Sequence, residues 1–382
     1  LFFNPTMKHK ALRKAVRMFA ETEIGPVART IDREASFPWE VIKKMGPLDF
    51  FGLQTPKTFG GAEMDSISYA IVIEEISRVS AAIGLCLAVH NSLSIHPIVR
   101  WGTEEQKRQF LPDMVRGEKI GAFCMTEAGI GSDVGGVETN ATLDGNDYIL
   151  NGTKIFVTNG GVCGTAIVFA TTDYQNPRQG AAMFIVDRET PGFIVGEKED
   201  LCGMRANPVS SIFLENCRVP SRNMLGAPGE GVTVGMETLN VGRISIAAQA
   251  LGIAQAAFED SLSYSKDRQQ FHRYLSSFQT IRNYLADMAT DIDAGRLLLY
   301  RACAAQDSRN SFREEAAMAK LFCSEMARRV TDKAVQIHGG YGYSKEYGVE
   351  RYFRDAKVTE IYEGTSEVQR MIISRELLAR RV

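Results

Sequence analysis

The spacing of apolar positions changes twice along the chain. Leu12, Val16, Phe19 and Ala20 recur at helical steps, which predicts an amphipathic helix. The stretch from Ile67 to Ile98 is largely apolar and is broken by Ser80 and Gly84, as buried helices with a joint would be. Thr103-Glu104-Glu105-Gln106 has the form of a capping box. It predicts a short helix with Phe110, Leu111 and Met114 on one face and Gly117 at its end. Near Ile120 the texture shifts to short β-prone runs separated by Gly, Asn, Asp, Pro and Thr. Tyr148–Leu150, then Asn151-Gly152, then Lys154–Val157 predict a hairpin with a two-residue turn. Ala166–Ala170, Ala182–Val186, Phe193–Val195 and Ser211–Leu214 predict further strands. From about Glu230 the helical period returns: Phe278, Ile281, Leu285, Met288 and Ile292 share one face, and Ala247–Phe258 and Glu314–Val335 are helix-rich. The expected fold class is α+β multidomain. An N-terminal all-α domain (1–120) precedes a middle small β-sandwich or barrel domain (121–230) and a C-terminal four-helix bundle (231–382).

Composition narrows the classes. The 382 residues are 45% hydrophobic and 24% charged, with net charge −2, which is ordinary for a globular chain with sizeable cores. With no long Lys/Arg run, no nucleic-acid partner is expected. The longest apolar stretches, such as Ala81–Val89, are too short to cross a bilayer, so no membrane insertion is expected. No signal peptide is visible, and the opening on Leu1 rather than Met suggests a trimmed start. The seven cysteines are widely spaced without a CxxC pair and are read as reduced thiols in a reducing compartment. The five histidines form no ligand spacing, so no metal is expected.

Four segments could carry chemistry. Ile361-Tyr362-Glu363-Gly364-Thr365-Ser366-Glu367 places a carboxylate on a glycine-bearing turn before an apolar stripe of Val368, Met371 and Ile372. Thr365 and Ser366 are good N-cap residues, and the first N–H groups of the helix stay free for a ligand. Phe123 through Asp133 offers glycines for close backbone approach and hydroxyls at Thr126 and Ser132. It reads equally as a clamp for a planar polar ring or as a glycine-rich surface loop. Phe156–Thr158 ends a strand with an aromatic and a hydroxyl, suited either to an aromatic ligand or to strand core. Gln336 through Tyr343 fails the GxGxxG test and follows no strand, which rejects a Rossmann fold, although its N–H groups could still meet phosphates. His338 there is read as a packing residue. Arg268, placed on a helix running through Phe271, and Arg243 are cations suited to phosphate or to plain solvation.

At these residues the chain resembles the acyl-CoA dehydrogenase family, most closely its short-chain (butyryl-CoA) and related bacterial members. The resemblance spans nearly the whole chain. It is anchored by Thr126-Glu127 through Gly131-Ser132-Asp133, Asn151-Gly152-Thr153-Lys154, Arg268 through Phe271, Gln336 through Gly342, and Arg354-Asp355-Ala356 through Ser366. It implies FAD, a homotetramer and the fold order above. It further implies that Phe123, Met125, Thr126, Gly131, Ser132, Phe156 and Thr158 line the flavin ring, with Thr365 and Glu367 also touching it. Arg268, Phe271, Gln279, Gln336, Gly339 and Gly340 would reach FAD across a subunit interface. Ser132, Asn240, Arg243 and Gly364 would contact acyl-CoA, and Glu363 matches the catalytic base.

The implied reaction belongs to fatty-acid β-oxidation. It converts a short or branched acyl-CoA to the trans-2-enoyl-CoA, with α-proton removal by Glu363, hydride transfer to flavin N5 and electrons passed to electron-transfer flavoprotein. The implied home is a bacterial cytoplasm or mitochondrial matrix. Alternatives on the same fold are an enoyl-CoA reductase, an acyl-CoA oxidase or a cyclic acyl-CoA dehydrogenase. A non-enzymatic binding or assembly protein is the alternative from another class. Ala128 stands where the family usually has Pro, which should loosen the loop, and Ile130 replaces a small residue, which should crowd the pocket. Phe156 replaces a common Trp, Asn240 a usual Asp, His272 a usual Gly and Gly348 a usual Pro.

Overall fold

A single extended residue divides the long apolar stretch of the N-terminal region. Ser80 (φ −145°, ψ 104°) ends the helix α4 (Ser66–Val79) and starts α5 (Ala81–Val89) in a new direction, as expected, whereas Gly84 lies inside α5. A Cβ at Gly84 would stand 2.0 Å from the Ser77 hydroxyl, so this glycine permits a close helix contact and makes no joint. The computed structural model describes residues 5–308 and 311–380. The extreme ends of the expected first and last domains, at residues 1 and 382, lie outside the described residues.

Before α4 come α1 (Met7–Phe19), α2 (Ala28–Arg33) and α3 (Trp39–Met45). After α5 the chain widens into one π-helical turn over His90–Ile95 and continues as α6 (His96–Trp101). The expected capping box is present: the Thr103 hydroxyl accepts from the Gln106 N–H, and the Gln106 side chain accepts from the Thr103 N–H. It opens α7 (Glu104–Val115), and Gly117 at φ 73° turns the chain away.

The middle region holds β1 (Ile120–Cys124), β2 (Asn140–Asp144), β3 (Asp147–Val157), β4 (Cys163–Thr171), β5 (Ala181–Asp187), β6 (Phe193–Lys198), β7 (Ser210–Pro220) and β8 (Met224–Leu225). These strands form two halves, β6-β7-β3-β2 and β1-β4-β5-β8, joined through the single pair Asn140–Thr171. Residues of both halves, such as Leu150, Ile212, Val168 and Phe184, close one core between them, as in a small sandwich. The alternate residues of β4 and β5, among them Ile167, Phe169, Met183 and Ile185, pack on Ile98, Leu111 and Met114 of α6 and α7. These two strands are therefore buried on both faces.

The predicted turn at Asn151-Gly152 is not there. β3 runs straight through it with a bulge, and Gly152 is needed because a Cβ would stand 2.4 Å from the Thr139 hydroxyl. The hairpin turn lies earlier, between Asp144 and Asp147, where Gly145 supplies φ 63°.

The C-terminal region contains α8 (Gly231–Asp267), the two-stranded hairpin β9 (Gln269–Gln270) and β10 (Arg273–Tyr274), α9 (Gln279–Asp307), α10 (Arg313–His338), α11 (Val349–Val358) and α12 (Ser366–Ala379). Arg268 through Phe271 are thus not helical as expected. α8 ends at Asp267, and Phe271 and His272 form the hairpin turn at φ 52° and 59°. α8, α9, α10 and α12 make the bundle, and α8 also packs on α4 and α5. One hydrophobic cluster runs from Val16 and Tyr69 through Ile244 and Leu251 to Met326 and Val330, so the two helical regions share a core. Among the described residues, two helical stretches are long and apolar enough to cross a membrane, contrary to expectation: Ala81–Trp101 and Gly231–Asp267, with mean hydropathy 1.4 and 1.2. Each has 89% of that window buried inside the fold, which is how core helices earn the same pattern. All seven cysteines are free.

A buried ion network pins α1 to this body. Glu74 and Glu75 on α4 are fully buried. Glu74 accepts from Arg13 (2.7 Å) and Arg296 (2.9 Å), and Glu75 accepts from Arg13, Arg17 and Arg78. Removing one acid leaves guanidinium groups facing an apolar core. Glu75→Ala is expected to lower the unfolding free energy by about 3 kcal/mol, read as a lower denaturant midpoint.

Candidate active site

Glu363 sits on the turn between α11 and α12. Its backbone is left-handed (φ 53°), and so is that of Gly364 (φ 93°). A side chain at 364 would place its Cβ 2.6 Å from the Gln369 amide nitrogen, so glycine is required there. Two donors hold the turn from outside: Lys320 Nζ and Gln369 Nε2 each donate to the Gly364 carbonyl at 2.7 Å. Thr365 caps α12 by accepting from the Val368 N–H, as expected. Among the described residues, the N–H groups of Glu363, Gly364 and Thr365 have no backbone acceptor.

This turn drives the Glu363 carboxylate inward against α8. A Cβ added to Gly242 would stand 2.1 Å from Glu363 Oε2. Both carboxylate oxygens are shut from solvent, and neither has a hydrogen-bond partner among the described residues. Burial pushes the carboxyl up to about 8, with Lys320 and then Arg243 opposing the rise. Desolvation thus outweighs both cations. Arg243 is 1% exposed and donates to the Asn240 side chain, while its Nε has no partner. Burial draws its guanidinium down to about 10, with Glu363 opposing.

Two adjoining cavities meet at Glu363. The smaller, about 160 Å³, is walled by apolar side chains that include Val89, Leu93, Met236, Leu239 and Val368. Phe123, Met125, Ser132, Arg243 and Gly364 of the expected set also line it. The larger, about 510 Å³, runs past Leu85, Met204, Val209 and Thr365. Thr126, Gly131, Ser132, Phe156, Thr158, Tyr362, Glu363 and Gly364 border both. Phe156 sits on a bulge at the end of β3, and its left-handed backbone (φ 53°) turns a ring that is 58% exposed toward this space. Buried Asn159 fixes the strand end by donating to the carbonyls of Cys86 (3.2 Å) and Gly121 (3.0 Å).

The loop after β1, which carries Ala128, is anchored on either side of that residue. Glu127 and Ile130 exchange two backbone hydrogen bonds, and the Glu127 carboxylate takes Lys154 Nζ (2.5 Å), the Thr139 hydroxyl and N–H, and the Glu138 N–H. Burial would raise this carboxyl, but Lys154 and the other donors bring it below the ordinary range. Ile130 does not crowd the pocket: it is buried against Gly136 and lines neither cavity.

The remaining expected residues lie elsewhere. Arg268, Gly339 and Gly340 line a separate hollow of about 610 Å³ with Tyr264, His338 and Tyr341, and it shares no residue with the Glu363 cavities. Phe271, Gln279 and Gln336 are exposed and line none of these cavities. Glu367 is exposed on the first turn of α12, and Asn240 is buried, accepts from Arg243 and lines neither cavity. His338 stacks on Tyr264, the packing role expected of it. Sequence reasoning missed Lys320, Gln369, Lys154 and Tyr362, whose hydroxyl donates to Gln249. A lysine amid the alanine-rich buried face of α10 was the available signal for the first.

Comparisons with known proteins agree with this architecture. Family models for the acyl-CoA dehydrogenase N-terminal, middle and C-terminal domains match residues 6–118, 122–217 and 229–378. An acyl-CoA dehydrogenase of Bacillus subtilis is 47% identical over 98% of both chains. A 3-(aryl)acrylate reductase of Clostridium sporogenes is 47% identical over 99% of this chain and 100% of its own. Among solved structures, butyryl-CoA dehydrogenase from Megasphaera elsdenii superposes with TM-score 0.97 at 42% identity, covering 99% of this chain and 100% of that one. A chain from a structure of the electron transferring flavoprotein of Acidaminococcus fermentans gives TM-score 0.98 at 43% identity, covering 100% of both. The chain belongs to the acyl-CoA dehydrogenase family, as an oxidoreductase with FAD as its cofactor.

Proposed function

We propose that this enzyme dehydrogenates a short acyl-CoA to the trans-2-enoyl-CoA, with Glu363 as the base that takes the α-proton. The observation that carries the reading is the Glu363 carboxylate, closed off from water, unpartnered and set at the junction of two cavities. A thioester α-carbon loses its proton only if the carbonyl oxygen is held by donors as negative charge develops. The free N–H groups at Glu363 and Gly364 lie on the turn that bears the base, and Arg243 adds positive charge beside it. The small apolar cavity supports a short acyl chain. Ser132, Gly364 and Arg243, the last braced by Asn240, are assigned to the thioester end.

The larger cavity fits the cofactor. Gly131 has open space where a Cβ would project, and the exposed Phe156 ring is held toward the cavity by a left-handed backbone. Thr126, Thr158 and Thr365 add hydroxyls at its border, and Phe123 and Met125 add apolar wall. Bound FAD supplies the hydride acceptor for the β-hydrogen. Arg268, Phe271, Gln279, Gln336, Gly339 and Gly340 are assigned to the cofactor of a neighbouring copy in a homotetramer. Support comes from the hollow that Arg268, Gly339 and Gly340 line, apart from Glu363. Glu367, exposed at the start of α12, is assigned a contact near Thr365. Electron-transfer flavoprotein is the proposed acceptor, supported by the Acidaminococcus match. A reducing bacterial cytoplasm or mitochondrial matrix suits the free cysteines.

A second reading runs the same site in reverse. With its carboxyl raised to about 8, Glu363 is mostly protonated at neutral pH, the form that can give a proton to the α-carbon of an enoyl-CoA. The Clostridium relative named as a reductase supports that direction.

Three outcomes test the proposal. Glu363→Gln is expected to keep FAD and to slow reduction of the flavin by butyryl-CoA by roughly 10²–10⁴-fold. Flavin reduction at wild-type speed in that variant rules out the assigned base. In the wild type, the reduction rate should rise with pH through a midpoint near 8, because only the carboxylate form accepts the proton. Gly242→Ala should cut the rate by about tenfold or more while the visible flavin spectrum stays, because the added methyl displaces the carboxylate from its seat.

A further inference from the structure

We propose that Lys320 is a positioning residue for the reaction: its ammonium clamps the Glu363–Gly364 turn and supplies positive charge that keeps the buried base ionisable. The inference rests on Glu363 being the base. Lys320 lies fully buried on α10, a helix that packs against α12. Among the described residues, its one hydrogen bond runs from Nζ to the Gly364 carbonyl at 2.7 Å. That places a cation against the residue next to the base, and Lys320 itself lines neither cavity. The Gln369 amide already donates to the same carbonyl at 2.7 Å, so the turn could be held by neutral bonds alone. A buried ammonium is costly when a neutral donor would serve, unless its charge is used.

The charged and titratable groups around Glu363 come from several elements. α8 contributes Arg243, α10 contributes Lys320, and α4 contributes Tyr69. Tyr362 precedes it on the turn, and Glu360 and Glu367 flank the ammonium. Arg313, at the start of α10, repels Arg243. Of the two cations that oppose the rise in the Glu363 carboxyl, Lys320 acts more strongly. Burial draws Lys320 itself down to about 8, with Glu363 opposing, so it is still mostly charged at neutral pH.

The test compares Lys320→Gln, which keeps a neutral amide near the turn, with Lys320→Met, which keeps only bulk. Both are purified as holoenzymes, and flavin reduction by butyryl-CoA is followed across pH beside wild type and Glu363→Gln. In both Lys320 variants the midpoint is expected to move up by about one pH unit or more, with a rate loss of about tenfold at pH 7 that shrinks at high pH. Rates that fall equally at every pH, with the midpoint unmoved, overturn the charge role and leave a structural lysine. Loss of FAD in both variants also overturns it, by making Lys320 a folding residue. If Glu363→Gln reduces flavin at wild-type speed, the base assignment fails instead, and the two failures are told apart.

Discussion

A buried carboxylate with no hydrogen-bond donor is an unfavourable thing to build, and this fold arranges several elements around one. Burial alone drives the Glu363 carboxyl toward its neutral form. Lys320 from α10 and Arg243 from α8 pull the other way, and each is itself desolvated enough to be less firmly charged than usual. The balance falls near neutrality and does not settle at either extreme. That is the condition under which one group can hold and release a proton during turnover. The shared core of the N-terminal helices and the bundle matters to the site because it fixes the spacing of α8 and α10, and hence of the two cations.

The backbone carries part of the cost. Two consecutive left-handed residues, the first with a full side chain, store about 1–3 kcal/mol of strain. A relaxed turn would let the acid swing toward solvent. The donors on the Gly364 carbonyl, the Thr365 cap and the seat left open by Gly242 hold it in the inward orientation. Glycine therefore appears at 242 and 364 for different reasons: room for the carboxylate at one, and backbone conformation with close approach of Gln369 at the other.

Much of this was legible in the order of residues, where the signal was local. Helical spacing, the Thr103–Gln106 box and the runs that became β4 to β7 are set by neighbours within one or two turns. β1 and β2 were harder: β1 is only five residues long, and β2 has a mostly exposed, polar pattern. Asn151-Gly152 misled because a glycine can serve a tight turn or a close approach, and here Thr139, distant along the strand path, decided between them. Glu363 was found from its turn chemistry and from a resemblance extending over nearly the whole chain. Its partners were harder to find: Lys320 reaches the turn only through tertiary packing, marked in the sequence by no more than a lysine on an alanine-rich helical face, and Gln369 is local but looks like an ordinary residue of α12.

The chain contains a second buried acid near the same cavities, and the contrast explains what Glu363 is for. Glu127 sits beneath the loop that carries Gly131 and Ser132, and it accepts bonds from Lys154, Thr139 and the Glu138 N–H. Its lone pairs are occupied, its proton affinity is held low, and protonating it would break several bonds at once. Such an acid can only hold structure. Glu363 has no partner bond to lose and a cation close by but no donor on its oxygens. Gaining a proton costs it no hydrogen bond. Of these two acids, the saturated one anchors the wall and the unsaturated one is left free for proton transfer.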